Sequence, residues 1–486
     1  MSQEILVRGF FCGIYSLMFA WVVCSRNQEE ADRKTTGQRY MPYIPGYLLP
    51  LHFLIVTALG MILHGTMGAV RFILSMCFGV FLHISVYYLI LTPVMGVFRR
   101  KISARACAML WMIPNYLYIA VLEFMKLPRP RMVIAVPGNT IWTLFFIWFL
   151  GFLTVIGWKM TEHFMFRRRV LLDAVPVTDP QVLSIWEKAM QEARMEKPSC
   201  KLVVSPAVKT PLSVGLFPAS TKVILPMQSY SREDLRLIFR HEVIHIARQD
   251  AWSKFSLMFC TAMCWFNPLM WVAMKKSGED LELSCDETVL LDADDSTRKR
   301  YALLLLDHAG DGRGFTTCLS ASARSMRYRL KNIVKPALRR SGALAVGAVF
   351  FILSMTCGYV ALAYGGRSGG EVLSLSGDFS QYSIRSVSLA ERTSAADYQV
   401  TNEKDFHEYL SGLTFCELTG NYSFSESNRE LTCLLDTPEG TEFLRLHDQI
   451  MEVVSSGTVS YYYIMDGVDW DYLHTILAAH PALSRI

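Results

Sequence analysis

Charge is what this chain has least of: Asp, Glu, Lys and Arg together make up 19% of 486 residues, against 52% hydrophobic residues. With a mean hydropathy of +0.26 it carries too little charged surface for an ordinary soluble protein, and its apolar residues come in blocks near the length of a bilayer span. The twelve Cys residues form no CxxC pair and show no metal-type spacing. Most of them, such as Cys77, Cys107 and Cys357, lie inside apolar blocks and read as small hydrophobes. Cys416 and Cys433 are open to two readings, a disulfide or two free thiols, because spacing says nothing about geometry. Lysine almost vanishes after Arg367, where Lys404 stands alone among about 7 basic and about 18 acidic side chains. Since the formal net charge is +5, everything before that tail is strongly basic. Such a split fits two aqueous faces, with the basic parts inside and the acidic tail outside. The bases sit beside apolar blocks, so no direct nucleic-acid contact is expected.

What the chain has in quantity is apolar sequence. Blocks at 5–23, 47–63, 72–98, 106–125 and 141–158 are near span length and predict an N-terminal transmembrane region over 1–158. The first block lacks a clear small-residue cleavage site and reads as a retained span. Loop charge sets the orientation. Arg26, Arg33, Lys34 and Arg39 come after the first block, four bases lie within Arg99–Arg105, and Arg167, Arg168 and Arg169 come after the fifth, whereas His64–Ala69 holds none. The positive-inside rule then places the N-terminus outside and everything after Trp158 in the cytoplasm. Lys126, Arg129 and Arg131, on the expected outer side, run against that trend without reversing it. A last span, 341–364, comes after Lys331, Lys335, Arg339 and Arg340 and leads out to a small α+β domain over 365–486. In that domain Tyr382–Leu389 and Val459–Met465 read as strands, and Asp405–Leu410, Glu442–Val454 and Asp469–Ala479 as helices.

Between 159 and 340 the chain reads as a soluble α+β domain. Asp179–Lys197 is helix-like, while Lys201–Val208 and Leu212–Leu225 look like strands. They serve either as an edge for an extended peptide or as plain core strands. Ser231 before Asp234 is an S-x-x-D cap that opens the helix carrying His241-Glu242-Val243-Ile244-His245. Two imidazoles four residues apart share a helix face, about 6 Å apart at Cβ, which suits one tetrahedral zinc ion. Glu242, beside them, can take the proton of a water in the open fourth position and pass it to a leaving amine. The motif by itself leaves the third ligand missing.

The stretch Ser256–Met274 is apolar and of span length, yet a lone crossing would carry the residues after Met274 to the far side of the membrane from His241 and His245. The best third ligand lies after Met274, so 256–274 is expected to be re-entrant, interfacial or packed under the domain. Trp265-Phe266-Asn267-Pro268 supplies a turn signal there. In the acidic run Glu279–Glu287, Glu282 and Asp286 are four apart and share a face. Glu282 can bind the metal while Asp286 hydrogen-bonds a ligand imidazole. The plain alternative is a solvated acidic helix face.

The set His241-Glu242-x-x-His245-x-x-Arg248-x-Asp250, Trp265-Phe266-Asn267-Pro268 and Glu282-Leu-Ser-Cys-Asp286 resembles the BlaR/MecR-type antirepressor peptidases, zinc proteases of the bacterial cell membrane. The resemblance runs from about Lys159 to Tyr364. It implies His241, His245 and Glu282 as zinc ligands, Glu242 as general base and acid, and Asp286 and Asp250 as supports of the ligands. It also implies a cytoplasmic transcriptional repressor as substrate. The segment Arg324–Ile333 resembles the family's stretch before the last span, near which self-cleavage is expected, around Cys318, Ser320, Ser322, Arg324 and Ser325. One departure is plain: the tail has no Lys-Thr-Gly and no Ser-x-x-Lys motif, since only Thr401 precedes Lys404 at that spacing, so a penicillin-binding sensor is not expected.

The sequence therefore predicts an α-helical multi-span membrane protein with a cytoplasmic α+β gluzincin-type zinc metallopeptidase domain and a small extracellular α+β domain. Its expected partners are the lipid bilayer, a repressor, an unidentified extracellular ligand and a second copy of itself as a homodimer. Two other readings compete. One is a constitutive membrane zinc protease for quality control or peptide maturation; the other is a non-catalytic receptor with a residual zinc site, against which the retained Glu242 speaks.

Overall fold

The computed structural model describes residues 3–25, 33, 35, 45–120, 130, 132–136, 140–195, 200–217, 220–307, 323–335, 339–357, 360–373, 383–391, 394–400, 402–418, 422, 429–437, 440–455 and 457–479. Among them, three helices are long and apolar enough to cross a membrane: Leu6–Cys24, Gly68–Lys101 and Thr140–Leu171. The blocks at 47–63 and 72–98 form one helix, Leu48–Lys101, broken at Gly65 by a φ of 69° and ψ of 179° that favour a residue without Cβ. The shorter half, Leu48–Ile62, lies on the far side of that break.

Two blocks differ from the expected spans. In the block 106–125, of which 121–125 lie outside the described residues, the chain forms a helix Ala104–Met112, a 3-10 turn Ile113–Tyr116 and a short helix Leu117–Ala120. Pro114 brings no N–H to this stretch, and Trp111 and Tyr118 are buried in the protein rather than turned to lipid. The last block, 341–364, is helical only over Ala343–Thr356, about 21 Å at 1.5 Å per residue. Its final carbonyls are taken by side chains of other helices. Arg8 donates to Ser354 O at 2.6 Å and to Cys357 O, and His83 Nε2 lies 2.9 Å from Thr356 O. From Val360 the chain runs as a strand.

The stretch 256–274 reverses direction. Helix Asp250–Met263 ends at a turn through Asn267, whose side chain accepts the Leu269 N–H and starts helix Pro268–Val289. Both arms contribute to the core of the membrane helices, with Cys260, Met263, Met270 and Ala273 packed among Cys77, Phe81 and Trp148.

The first strand, β1 (Met132–Val136), lies between membrane helices, and β2 (Val175–Pro176), β3 (Lys201–Ser205), β4 (Leu212–Val214) and β5 (Lys222–Pro226) form a four-stranded sheet ordered β2-β3-β5-β4. Helices Pro180–Glu192 and Arg232–Ala247 cover it through Trp186, Met190, Leu235, Ile238, Phe239 and Val243. Each such buried side chain contributes about 1.5–3 kcal/mol. Helices Asp295–Asp307 and Ala323–Val334 close the other side of Arg232–Ala247 around Ile244, Tyr301, Leu305 and Met326.

The C-terminal domain carries β6 (Val360–Ser368), β7 (Ser383–Glu391), β8 (Ser394–Val400), β9 (Thr414–Leu418), β10 (Arg429–Thr437), β11 (Gly440–His447), β12 (Ile450–Ser455), β13 (Thr458–Ile464) and β14 (Leu477–Ala479). With β1 they make one ten-stranded sheet ordered β1-β6-β9-β13-β12-β11-β10-β7-β8-β14. Helices Glu403–Gly412 and Trp470–Ile476 pack on one face through Phe406, Leu410, Leu473 and Ile476. The expected helix Glu442–Val454 is instead the pair β11 and β12, because Leu444 and Leu446 face that core while Phe443 and Arg445 alternate outward, a period of two. Cys416 and Cys433 lie on β9 and β10 with three strands between them, about 19 Å at 4.8 Å per strand, and both are free thiols.

β1 pairs in parallel with β6, Met132 opposite Val360 and Val136 opposite Tyr364. Arg71, just past the Gly65 break, donates to Glu417 at 2.8 Å and lies 4.7 Å over the Tyr364 ring. The strand β1 and the first turns of the span Gly68–Lys101 thus meet the C-terminal domain at one end of the bundle. At the other end Arg99, Arg339 and Arg340 lie against the helix Pro268–Val289 and its neighbours.

Candidate metal centre

The helix Arg232–Ala247 begins at Ser231, whose hydroxyl accepts the Asp234 N–H, with Glu233 and Asp234 in its positive first turn. That start fixes the rotation that brings His241 and His245 to one face, their Nε2 atoms 3.1 Å apart. The helix ends at Arg248, and Gln249 turns the chain through a left-handed φ of 54° into helix Asp250–Met263. The return arm Pro268–Val289 then places Glu282 Oε2 at 3.7 Å from His241 Nε2 and 3.6 Å from His245 Nε2. A tetrahedral ion bonded at about 2.0–2.2 Å spaces its ligand atoms by about 3.3–3.6 Å. The three donor atoms make a triangle of nearly that size.

Hydrogen bonds behind the rings decide which nitrogens face the ion. Asp250 Oδ2 lies 2.6 Å from His245 Nδ1, and a carboxylate only accepts, so the proton is on Nδ1 and the Nε2 lone pair points inward. Arg248 donates to the same oxygen at 2.6 Å and to Ser284 Oγ at 3.1 Å, holding Asp250 in place. For His241 the partner is Tyr301. Its hydroxyl lies 2.8 Å from His241 Nδ1 and donates to Asp286 Oδ1 at 2.8 Å, so it accepts from the imidazole. Asp286 in turn receives Arg329 Nε at 2.6 Å and Nη2 at 2.7 Å. Two imidazole lone pairs and a carboxylate oxygen therefore converge in a buried space, an arrangement that a bound cation relieves.

Glu282 is held well below the usual carboxylate range. Burial pushes it up, but Lys254, at 3.1 Å from Oε1, and the two imidazoles when they are protonated pull it down further. Burial likewise opposes the ionised form of Asp250, and Arg248 and His245 more than offset it. Both carboxylates are thus ready as anions. Glu242 is fully buried, one helix step from His241.

Cys285 belongs to the same cluster: its Sγ, with nitrogens of His241 and His245, forms a three-donor group. The sulfur sits 3.4 Å from His241 Nδ1, the nitrogen already bonded to Tyr301, and 3.5 Å from His241 O. Glu282 approaches the two Nε2 atoms instead, which makes it a second candidate for the third donor beside Cys285.

One cleft opens from His245. Ile246, Gln249 and Ala251 line it from the helix side, and Ser213, Gly215, Leu216 and Thr221 from the sheet, around about 330 Å³ of open space. Among the described residues, β4, which supplies Ser213, is the last strand of its sheet. Residue spacing leads to His241, Glu242, His245, Glu282 and Asp286 and the family resemblance to Asp250, and the structure brings these together. It adds Tyr301, Arg329, Lys254 and Ser284, for which no local pattern speaks. Arg324 and Ser325 lie in the first turn of Ala323–Val334, while Cys318, Ser320 and Ser322 lie outside the described residues.

Residues 54–333 match the sequence profile of the BlaR1 peptidase M56 family. Among curated proteins, the regulatory protein BlaR1 of Bacillus licheniformis is 27% identical over 157 residues, 32% of this chain and 25% of that relative. The match thus spans about a quarter of the relative's length.

Proposed function

Because the chain belongs to the BlaR1 peptidase M56 family, we propose that it is a membrane-embedded zinc metalloendopeptidase that acts in signal transduction. The observation that carries this reading is the convergence of His241 Nε2, His245 Nε2 and Glu282 Oε2 beside a buried Glu242, next to a cleft that His245 lines. Zinc, when bound, polarises the scissile carbonyl and acidifies water. The chain's own groups do the rest. An extended peptide adds to the β4 edge and runs past His245. Glu242 accepts a proton from the attacking water and delivers it to the departing amine nitrogen. Asp250 and Tyr301 hold the two imidazoles in the tautomer that the centre needs.

We assign the peptidase end of the bundle to the cytoplasm, where the bases Arg99, Arg100, Lys101, Arg105, Arg167, Arg168 and Arg169 gather, and the acidic C-terminal domain to the outside. A cytoplasmic transcriptional repressor, the chain itself, or both are then the substrates, and the outer domain receives the signal. Glu242→Gln tests the chemistry: self-cleavage and repressor loss in cells should fall by about 10²–10⁴-fold while zinc stays bound. Unchanged processing would exclude proteolysis at this site. Removal of 365–486 separates regulated from constitutive proteolysis, since turnover indifferent to the deletion would exclude sensing by that domain.

A further inference from the structure

The helix Ala323–Val334 contributes to the centre a group that proteolysis as described does not use. Arg329 is 1% exposed, among the largest fully buried side chains of the molecule. Two of its nitrogens grip both oxygens of Asp286, at 2.6 and 2.7 Å, and the third, Nη1, lies 3.7 Å from Glu282 Oε2. Asp286 Oδ1 also takes the Tyr301 hydroxyl, which bears on His241 Nδ1. One guanidinium therefore touches the carboxylate that forms the third ligand and the carboxylate that orients the first. A buried ion pair adds little stability over apolar residues of the same size, and Met326, Ile333 and Leu305 beside it show that the space accepts apolar side chains. The pair is better explained by the centre it faces.

The helix that carries Arg329 is also tied to the membrane bundle. Tyr328 donates to Arg99 O at 3.3 Å, and Arg339 bridges Asn332 and Glu287. Arg340 N donates to Lys101 O at 3.0 Å while Arg340 O accepts from Ser103 N at 2.9 Å, immediately before the last helix Ala343–Thr356. The chain that enters the last helix thus carries part of the metal centre with it.

We propose that Arg329 is a positioning residue of the metal centre, which locks Asp286, Tyr301 and His241 in line and fixes Glu282, so that the centre binds metal tightly only while the helix Ala323–Val334 is docked. This rests on the zinc-centre reading and extends it to the segment that joins the centre to the membrane. In the full-length protein in detergent, zinc affinity is measured by competition with a chelating dye, together with thermal unfolding, for the parent, His241→Ala, Arg329→Met, Arg329→Lys and the double variant Arg329→Met/Asp286→Asn. Arg329→Met should bind zinc about 10–100-fold more weakly, and Arg329→Lys should recover part of that loss. The double variant, which removes both buried charges, should regain thermal stability without regaining zinc affinity. Parental zinc affinity in Arg329→Met, or in the double variant if the single one does not fold, would overturn the proposal and leave the zinc centre standing. A parent chain that binds no more zinc than His241→Ala would overturn both.

Discussion

Tyr301 is where a single atom bears most directly on the centre. Its hydroxyl both accepts from His241 Nδ1 and donates to Asp286, so Tyr301→Phe removes two hydrogen bonds and fills the same volume. Zinc affinity should drop by about 10–100-fold with the melting temperature little changed, as read by dye competition and circular dichroism; equal affinity would show that the hydroxyl does not orient the ring. The two histidines could be read in the sequence because their geometry is local: a separation of four on a helix is a contact wherever the helix lies. Tyr301 could not, because it meets His241 across 60 positions and stands in Tyr301-Ala302-Leu303-Leu304-Leu305, where it reads as core. Arg329 is hidden for the opposite reason. Arginine in an amphipathic helix is ordinarily solvated, and only packing shows that this one is buried between two carboxylates.

At the level of elements, capping was the most legible signal. Ser231 starts its helix where the sequence places it, since a cap is a contact within three residues, and the turn signal at Asn267 and Pro268 falls at the start of another. Element ends set by distant partners were not legible. The last helix stops at Thr356 because Arg8 and His83, hundreds of positions away, take its carbonyls, and hydropathy continues through the strand after it. The segment 442–454 has apolar residues enough for a helix, and only its alternation marks two strands. The element most exposed to test is the β4 edge. Gly215 comes directly after it at φ 141°, and a Cβ there would lie 2.6 Å from Thr221 Cα. Gly215→Ala should therefore distort the sheet wall of the cleft, raising KM for a peptide several-fold with zinc affinity unchanged; peptide kinetics unaltered by the substitution would place the substrate elsewhere.

Across the whole molecule, charge and hydropathy separated a membrane part, a peptidase domain and an acidic tail, because each is a property of composition over many residues. How the tail is joined to the bundle was not legible, since it depends on a five-residue strand and one arginine. Arg71 pairs with Glu417 and covers Tyr364 while both charged groups stay about one-third exposed, so the contact contributes about 0.5–1 kcal/mol. Arg71→Ala should speed amide exchange of β1 and β6 by about 2–5-fold, measured by mass spectrometry; protection unchanged there would mean that the strands alone hold the junction. The β1–β6 pairing has a further consequence for how the protein is made. Its partners are about 230 residues apart, so at ribosomal rates of about 5–20 residues per second β1 leaves the ribosome roughly ten to fifty seconds before its mate. During that interval the peptidase domain is being synthesised, and β1 is still without the nine C-terminal strands of its sheet. Closure of the sheet is thus a late event of biogenesis, and a chain truncated before Val360 would carry the whole cluster from His241 to Asp286 with no strand paired to β1.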